Sequence, residues 1–221
     1  MKRDDVTDLP IGWALASVGE IADVNPRFDR NGIADDATVS FVPMAAVEEE
    51  SGRIDTSQTR PFAEVRKGYT PFLQGDVLLA KITPCMENGK LAVAPELTGG
   101  VGFGSTEFHV LRSHDPIRSA WFFYFLLQRS FRREARRQMT GSAGQLRVPA
   151  DFVAATQIPV APVAEQDRIV AEIEKQFSRL DAGVAALKRV EANLRRYKAA
   201  VLKAACDGSL SAPWRVAHAD V

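Results

Sequence analysis

The stretch VAEQDRIVAEIEKQFSRLDAGVAALKRVEANLRRYKAAVLKAAC, residues 163–206, decides how the chain is built. It contains no proline and a single glycine, Gly183. Its apolar residues are Ile169, Ile173, Phe177, Leu180, Val184, Leu187, Val190, Leu194, Tyr197 and Val201. They recur at steps of three and four, the alternation of a coiled-coil seam with one local slip. The pattern predicts one helix about 60 Å long at roughly 1.5 Å per residue. Pro162 before it and Gly208 after it are stop signals. Glu165 and Asp167 near the start, with Lys198 and Lys203 near the end, suit the helix dipole. A lone helix of this length cannot cover its own apolar stripe, and no other segment matches it in length. The expectation is packing between chains, most simply a two-fold homodimer.

Upstream the texture changes. Gly and Pro break the sequence repeatedly, and short extended candidates stand between them. These are Val39–Val42, Asp76–Ile82, Lys90–Ala94, Glu107–Leu111 and Thr156–Val160. Ser51-Gly52, Gln74-Gly75 and Asn88-Gly89 are turn signals, as is the cluster Gly99, Gly100, Gly102 and Gly104. One helix is expected from about Ile117 to Gln138. Ala120, Phe123, Tyr124, Leu127 and Phe131 fall on its apolar side, and Arg129, Arg132, Arg133 and Arg136 share the other. The fold class is therefore α+β: a mixed α/β domain over residues 1–162, one long coiled-coil-forming helix over 163–207, and a tail over 208–221.

The 28 basic and 28 acidic residues cancel. What matters for a nucleic-acid partner is placement. The first sixty residues are rich in acid, whereas Arg112 to Arg147 holds eight arginines against Asp115 and Glu134, which predicts a basic face. Cys85 and Cys206 suggest no disulfide framework, and His109, His114 and His218 have no metal-ligand spacing. Residues 1–10 are polar, with no apolar signal core, and Trp121–Leu127 is too short to cross a bilayer. A cytoplasmic protein without membrane contact is expected.

Catalytic motifs fail on inspection. Asn25-Pro26-Arg27-Phe28 partly matches the tetrapeptide with which adenine methyltransferases hold an amino group, but no cofactor loop precedes it. A turn is the better reading. Gly99–Gly104 lacks a phosphate-loop spacing and leads into a strand, so a flexible hairpin or loop is expected. Glu87-Asn88-Gly89-Lys90 lacks the companion acid of a nuclease. The surrounding segment suits DNA better: Lys81 and Lys90 for phosphates, and Thr83, Glu87 and Asn88 for base edges. An ordinary surface loop explains it equally well. The all-arginine stripe favours phosphate contacts over a merely solvated face. Thr140–Arg147, with Ser142, Gln145 and Arg147, has the small polar texture of a loop against a DNA backbone, or of a linker.

Several segments together carry a family likeness. Gln157-Ile158-Pro159-Val160-Ala161-Pro162-Val163-Ala164-Glu165-Gln166-Asp167-Arg168-Ile169-Val170 resembles the conserved helix entry of type I restriction-modification specificity subunits. It departs only at Ala161, where the family commonly has proline. Leu9-Pro10-Ile11-Gly12-Trp13 looks like the opening of their recognition domains. Gly75–Lys81 resembles their Gly-Asp strand, Thr140–Gln145 their Gly-Ser-x-x-Gln segment, and Asp207–Leu210 with Trp214-Arg215 the exit from the helix.

The resemblance implies a non-catalytic, DNA-reading subunit in half-length form, with one target-recognition domain and one spacer helix. Two copies would rebuild the two-domain arrangement, with a symmetric split target. Its implied partners are double-stranded DNA, methyltransferase subunits and a restriction-translocase subunit. This chain would bind no cofactor; S-adenosylmethionine, ATP and Mg would belong to the partners. The target would be an adenine flipped into a partner's pocket. A coiled-coil adaptor without a nucleic-acid role, and a small DNA-modifying enzyme acting alone, remain the alternatives.

Overall fold

The computed structural model describes residues 9–142 and 144–219. Among them, β1 (Ala14–Ser17), α1 (Val18–Ile21) and β2 (Ala22–Val24) come first. Then follow β3 (Thr38–Val42), β4 (Thr59–Pro61), α2 (Phe62–Val65), β5 (Thr70–Leu73) and β6 (Val77–Ala80). Next are β7 (Leu91–Val93), β8 (Val101–Gly104), β9 (Phe108–Ser113), α3 (Ser119–Leu127) and α4 (Arg129–Gln138). The last are α5 (Ala150–Ala155), β10 (Gln157–Val160), α6 (Val163–Cys206) and α7 (Ala212–Ala217). Contacts divide the chain into two units, one ending at Val170 and the other starting at Ala171.

The first unit is α+β and stacks two four-stranded sheets. One has the order β2-β9-β6-β7 and is antiparallel throughout. The other runs β4-β3-β8-β5, with β3 and β8 parallel. The run Val77-Leu78-Leu79-Ala80 explains the layering. Successive side chains of a strand point to opposite faces, so an unbroken apolar run needs cover on both. Val77 and Leu79 join Trp121, Phe122 and Leu126 of α3 in one core. Leu78 and Ala80 join Val42 and Phe72 of the second sheet in another. A third core, with Val39, Phe62 and Phe103, lines the far side of that sheet.

Two expectations are corrected here. The helix from Ile117 to Gln138 is two helices, broken at Gln128, whose ψ of 139° is extended. Residues 119–127 are apolar nearly all round and sink into the core, whereas 129–138 bury only Phe131, Arg132 and Ala135. A continuous helix cannot serve both phases, and the break resets the rotation. Of the five residues assigned to the apolar side, Phe123 and Phe131 are buried and Ala120, Tyr124 and Leu127 are half-buried; Trp121, Phe122 and Leu126, not assigned there, are buried as well. The second correction concerns Gly99–Gly104, which is not a flexible loop. Its last four residues are strand β8, buried throughout. Gly102 lies opposite Phe72, and a Cβ on it would fall 2.3 Å from that ring. The glycine is there to make room for a phenylalanine.

The start of α6 is locked to the first unit by the residues that carry the family likeness. Trp13 Nε1 donates to Glu165 Oε2 at 3.1 Å, and its ring meets Trp121 edge-on. Trp121 Nε1 donates to the Pro159 carbonyl at 2.9 Å. Gln166 is fully buried. Its Nε2 donates to the Ala161 carbonyl and its Oε1 accepts the Arg118 N–H, so both ends of the amide are satisfied. Arg118 grips Asp167 through two bonds of 2.7 and 3.0 Å. Ile169 and Val170 pack against the first core.

From Ala171 the second unit is helix and a short tail. Gly208 adopts the left-handed conformation that ends the helix, at φ 76°. Arg215 then caps the turn, donating to the Gly208 carbonyl and to Ser211 Oγ. No helix among the described residues is long and apolar enough to cross a membrane.

Candidate nucleic-acid interface

The two polar loops singled out from sequence meet in space. Ile82 and Thr140 both bridge to Arg147. Thr83 N–H donates to the Leu146 carbonyl at 3.0 Å, and Val148 N–H to the Lys81 carbonyl at 2.9 Å. Thr140 and Arg147 exchange backbone bonds of 3.0 and 2.8 Å, which close the second loop on itself. Lys81, Thr83, Ser142, Gln145 and Arg147 thus belong to one surface, with Ser142 and Gln145 exposed.

Their side chains divide by what they already hold. Arg147 makes a two-bond pair with Glu107 at 2.9 and 2.7 Å. Its hydrogen bonds hold the Glu107 carboxyl below its ordinary range, and the same contact raises Arg147. Asn88 Nδ2 donates to Glu49 at 2.9 Å. Lys90 Nζ points inward to the carbonyls of Met44 and Val47, so it braces the body. Glu87 takes an ion pair from Arg136.

The arginine stripe is divided in the same way. Arg132 is buried. It donates to Glu50 at 2.5 Å and to the Glu87 carbonyl at 2.8 Å, and it holds Glu50 below the usual carboxylate range. With Arg136 on Glu87, two of the four residues fasten the loop to α4. Arg129 and Arg133 are exposed, with no ion pair among the described residues. The basic face expected from residues 112–147 is therefore reduced. Of its eight arginines, Arg112, Arg118, Arg132, Arg136, Arg137 and Arg147 all hold carboxylates. Those of Asp76, Glu50, Glu87, Glu107 and Asp167 lie between 36 and 82 residues away in sequence.

The sequence reads Asn25–Phe28 as a turn and assigns the loop 25–30 no DNA contact. Asn25 stands at φ 55°, its N–H on the Val110 carbonyl at 2.7 Å. Its Oδ1 accepts Val110 N–H and its Nδ2 contacts His109 Nδ1 at 3.0 Å. His109 Nε2 in turn lies 2.8 Å from the Val148 carbonyl. These contacts fit a neutral ring with the proton on Nε2, and burial pushes the imidazole below its ordinary range. The Asn25 amide is thus spent on the fold, as the turn reading requires. The arginines that follow it, Arg27 and Arg30, are exposed. In sequence Arg27 stands only within the tetrapeptide, and nothing marks Arg30. Among the described residues, no group of three or more His, Cys, Asp or Glu side chains is placed to hold a metal ion.

On the second unit the helical face carries Leu180, Val184, Leu187, Leu194 and Tyr197, each between 41% and 71% exposed. Phe177 is half exposed on the same row. Ile173 and Val201 are half-buried.

Comparison with known proteins agrees with this architecture. A family model for the type I restriction modification DNA specificity domain matches residues 10–191. The specificity subunit of the type I restriction enzyme EcoAI of Escherichia coli is 37% identical over 79% of this chain and 29% of its own length. That of EcoEI, also from Escherichia coli, is 40% identical over 76% of this chain and 28% of its own. The crystal structure of the HsdS subunit from Thermoanaerobacter tengcongensis superposes with a TM-score of 0.64 at 23% identity, covering 78% of this chain and 44% of that one. The chain belongs to the type I restriction-modification DNA specificity domain family. It spans under a third of the length of the curated relatives it matches.

Proposed function

We propose that this chain recognises a DNA sequence for a type I restriction-modification complex, and that two copies pair through α6 to read a split, symmetric target. The first unit would read one half-site each, and paired helices would set the distance between half-sites. Methyltransferase subunits, and a restriction-translocase subunit, would act on the site so chosen. S-adenosylmethionine, ATP and Mg would belong to those partners, and the target adenine would leave the duplex for a methyltransferase pocket. The setting is the cytoplasm.

The observation that carries the pairing is the exposed row Leu180, Val184, Leu187, Leu194 and Tyr197 at coiled-coil spacing. Solvated, such a row forfeits roughly 1.5–3 kcal/mol for each large side chain that a partner would cover. Family membership supports the DNA-reading half of the proposal, as does the meeting of loops 81–90 and 140–147 on one surface. Selection from random duplexes by the chain with its methyltransferase subunit tests both halves. The expected product is an inverted repeat around a fixed spacer. Enrichment of one continuous, asymmetric site would contradict the pairing, and no enrichment would contradict sequence reading.

A further inference from the structure

We propose that an open cleft between the 25–30 loop, the start of β5 and the end of β6 holds the phosphate backbone of the bound DNA and orients the recognition unit without reading sequence. This rests on the reading of the chain as a DNA-recognition subunit. The cleft encloses about 500 Å³, and Arg27, Arg30 and Lys81 line it together with Phe28 and Tyr69.

Its lining differs from that around Arg129 and Arg133, which includes Glu50 and Glu87. Arg60 sits over the Phe41 ring, Arg66 is paired with Asp35, and Arg112, Arg118, Arg132, Arg136, Arg137 and Arg147 all hold carboxylates. Arg27, Arg30 and Lys81 hold no carboxylate among the described residues; Arg30 lies over the Phe28 ring at 6.0 Å, a looser contact than the 3.9 Å of Arg60 over Phe41. The nearby acids lie outside its lining. Glu107 feels Lys81, but both of its oxygens are on Arg147. Asp29 accepts the N–H of Asn31. Three cations line one open cleft whose lining holds no Asp or Glu, and a polyanion satisfies them best.

The cleft is also held in shape. The Asn25 contacts with Val110 and His109 fix the root of the loop. The Phe28 ring meets Phe103 edge-on at 5.9 Å, and Tyr69 meets Phe41 likewise at 5.1 Å. Lys81 N–H donates to the Glu107 carbonyl at 2.9 Å, and its own carbonyl accepts from Val148. A site that is already ordered loses less entropy on binding. Lys81 is also the first residue of the segment that meets the 140–147 loop, so a strand lying in the cleft continues onto the proposed reading surface.

The test uses the full chain with its methyltransferase subunit and compares target and unrelated duplexes over salt from about 50 to about 200 mM. The variant Arg27→Gln/Arg30→Gln/Lys81→Gln is set against Arg137→Gln, which removes a surface charge outside the cleft. The expected result is at least a tenfold loss on both duplexes, with the slope of log affinity against log salt shallower by about 2–3. Arg137→Gln should leave both nearly unchanged. If thermal melting shows that the triple variant is damaged, Arg27→Gln/Arg30→Gln, confined to exposed side chains, carries the same test with a smaller slope change. Unaltered affinity and slope in a variant of a wild type that binds its target would overturn the cleft and leave the DNA reading intact. A loss confined to the target duplex at unchanged slope would also overturn it, since that is base reading. A wild type that binds neither duplex removes the underlying reading as well.

Discussion

The two units handle their side chains in opposite ways. The first unit closes its accounts internally: its apolar residues fill three cores, and most arginines of the 112–147 segment find a carboxylate within the unit. The second leaves a row of leucines, valines and a tyrosine in solvent at coiled-coil spacing. The lesson is that exposure carries different information in each. On the first unit the informative residues are the few cations left over; on the second they are the apolar ones. A fold that neutralises most of its arginines leaves only a small set for an outside anion, and a helix that stays apolar on one side is shaped for another helix.

The comparison breaks most sharply on the helix. Leu180→Glu/Leu187→Glu/Leu194→Glu should weaken pairing by at least about a thousandfold, from roughly 1.5–3 kcal/mol per buried leucine. Sedimentation analysis reads that loss, and the melting temperature of the first unit should not move. If melting fell instead, the row would be serving the fold of a single chain. In the first unit, Gly102→Val places a side chain in the Phe72 ring and should destabilise by about 3 kcal/mol or more, measured by urea unfolding.

Arg132 and Arg133 sharpen the contrast within one helix turn. Arg132→Ala removes the buried partner of Glu50 and the Glu87 carbonyl and should cost about 2–3 kcal/mol. Arg133→Ala should cost less than about 0.5 kcal/mol while weakening DNA binding and its salt dependence. Equal melting temperatures for the two variants would refute the division of the stripe. A smaller effect concerns pH. Burial lowers the His109 pKa in the folded state, so the unfolded chain takes up the proton first on acidification. Stability should be fully present above the ordinary histidine value of 6.5 and decline as pH falls below it. His109→Gln should flatten that limb of the melting curve between pH 7 and the carboxylate range.

How much the sequence discloses follows the range of the interactions involved. α6 is legible because its pattern is local and repeats, with Pro162 and Gly208 at its ends. The central strands are legible for the same reason, set off by turn residues. The break at Gln128 carries no glycine or proline; it arises because two neighbouring segments must face the core at different angles. The strand at Val101–Gly104 reads as a loop until Phe72 is known to lie across it. The candidate interface is the least legible. Arg132 and Glu50 are 82 residues apart, and Arg147 and Glu107 are 40 apart, so no local window shows which arginines are occupied. Arg27, Arg30 and Lys81 converge only after β5 and β6 are placed.

Light scattering on the purified chain, alone and with the proposed methyltransferase partner and duplex DNA, tests the pairing most directly. The account predicts about twice the 24.2 kDa of one chain when it is alone. It predicts a complex with two copies of the chain when partners are added. A mass of 24.2 kDa for the chain alone, and a single copy in the complex with the proposed methyltransferase partner and DNA, would contradict it.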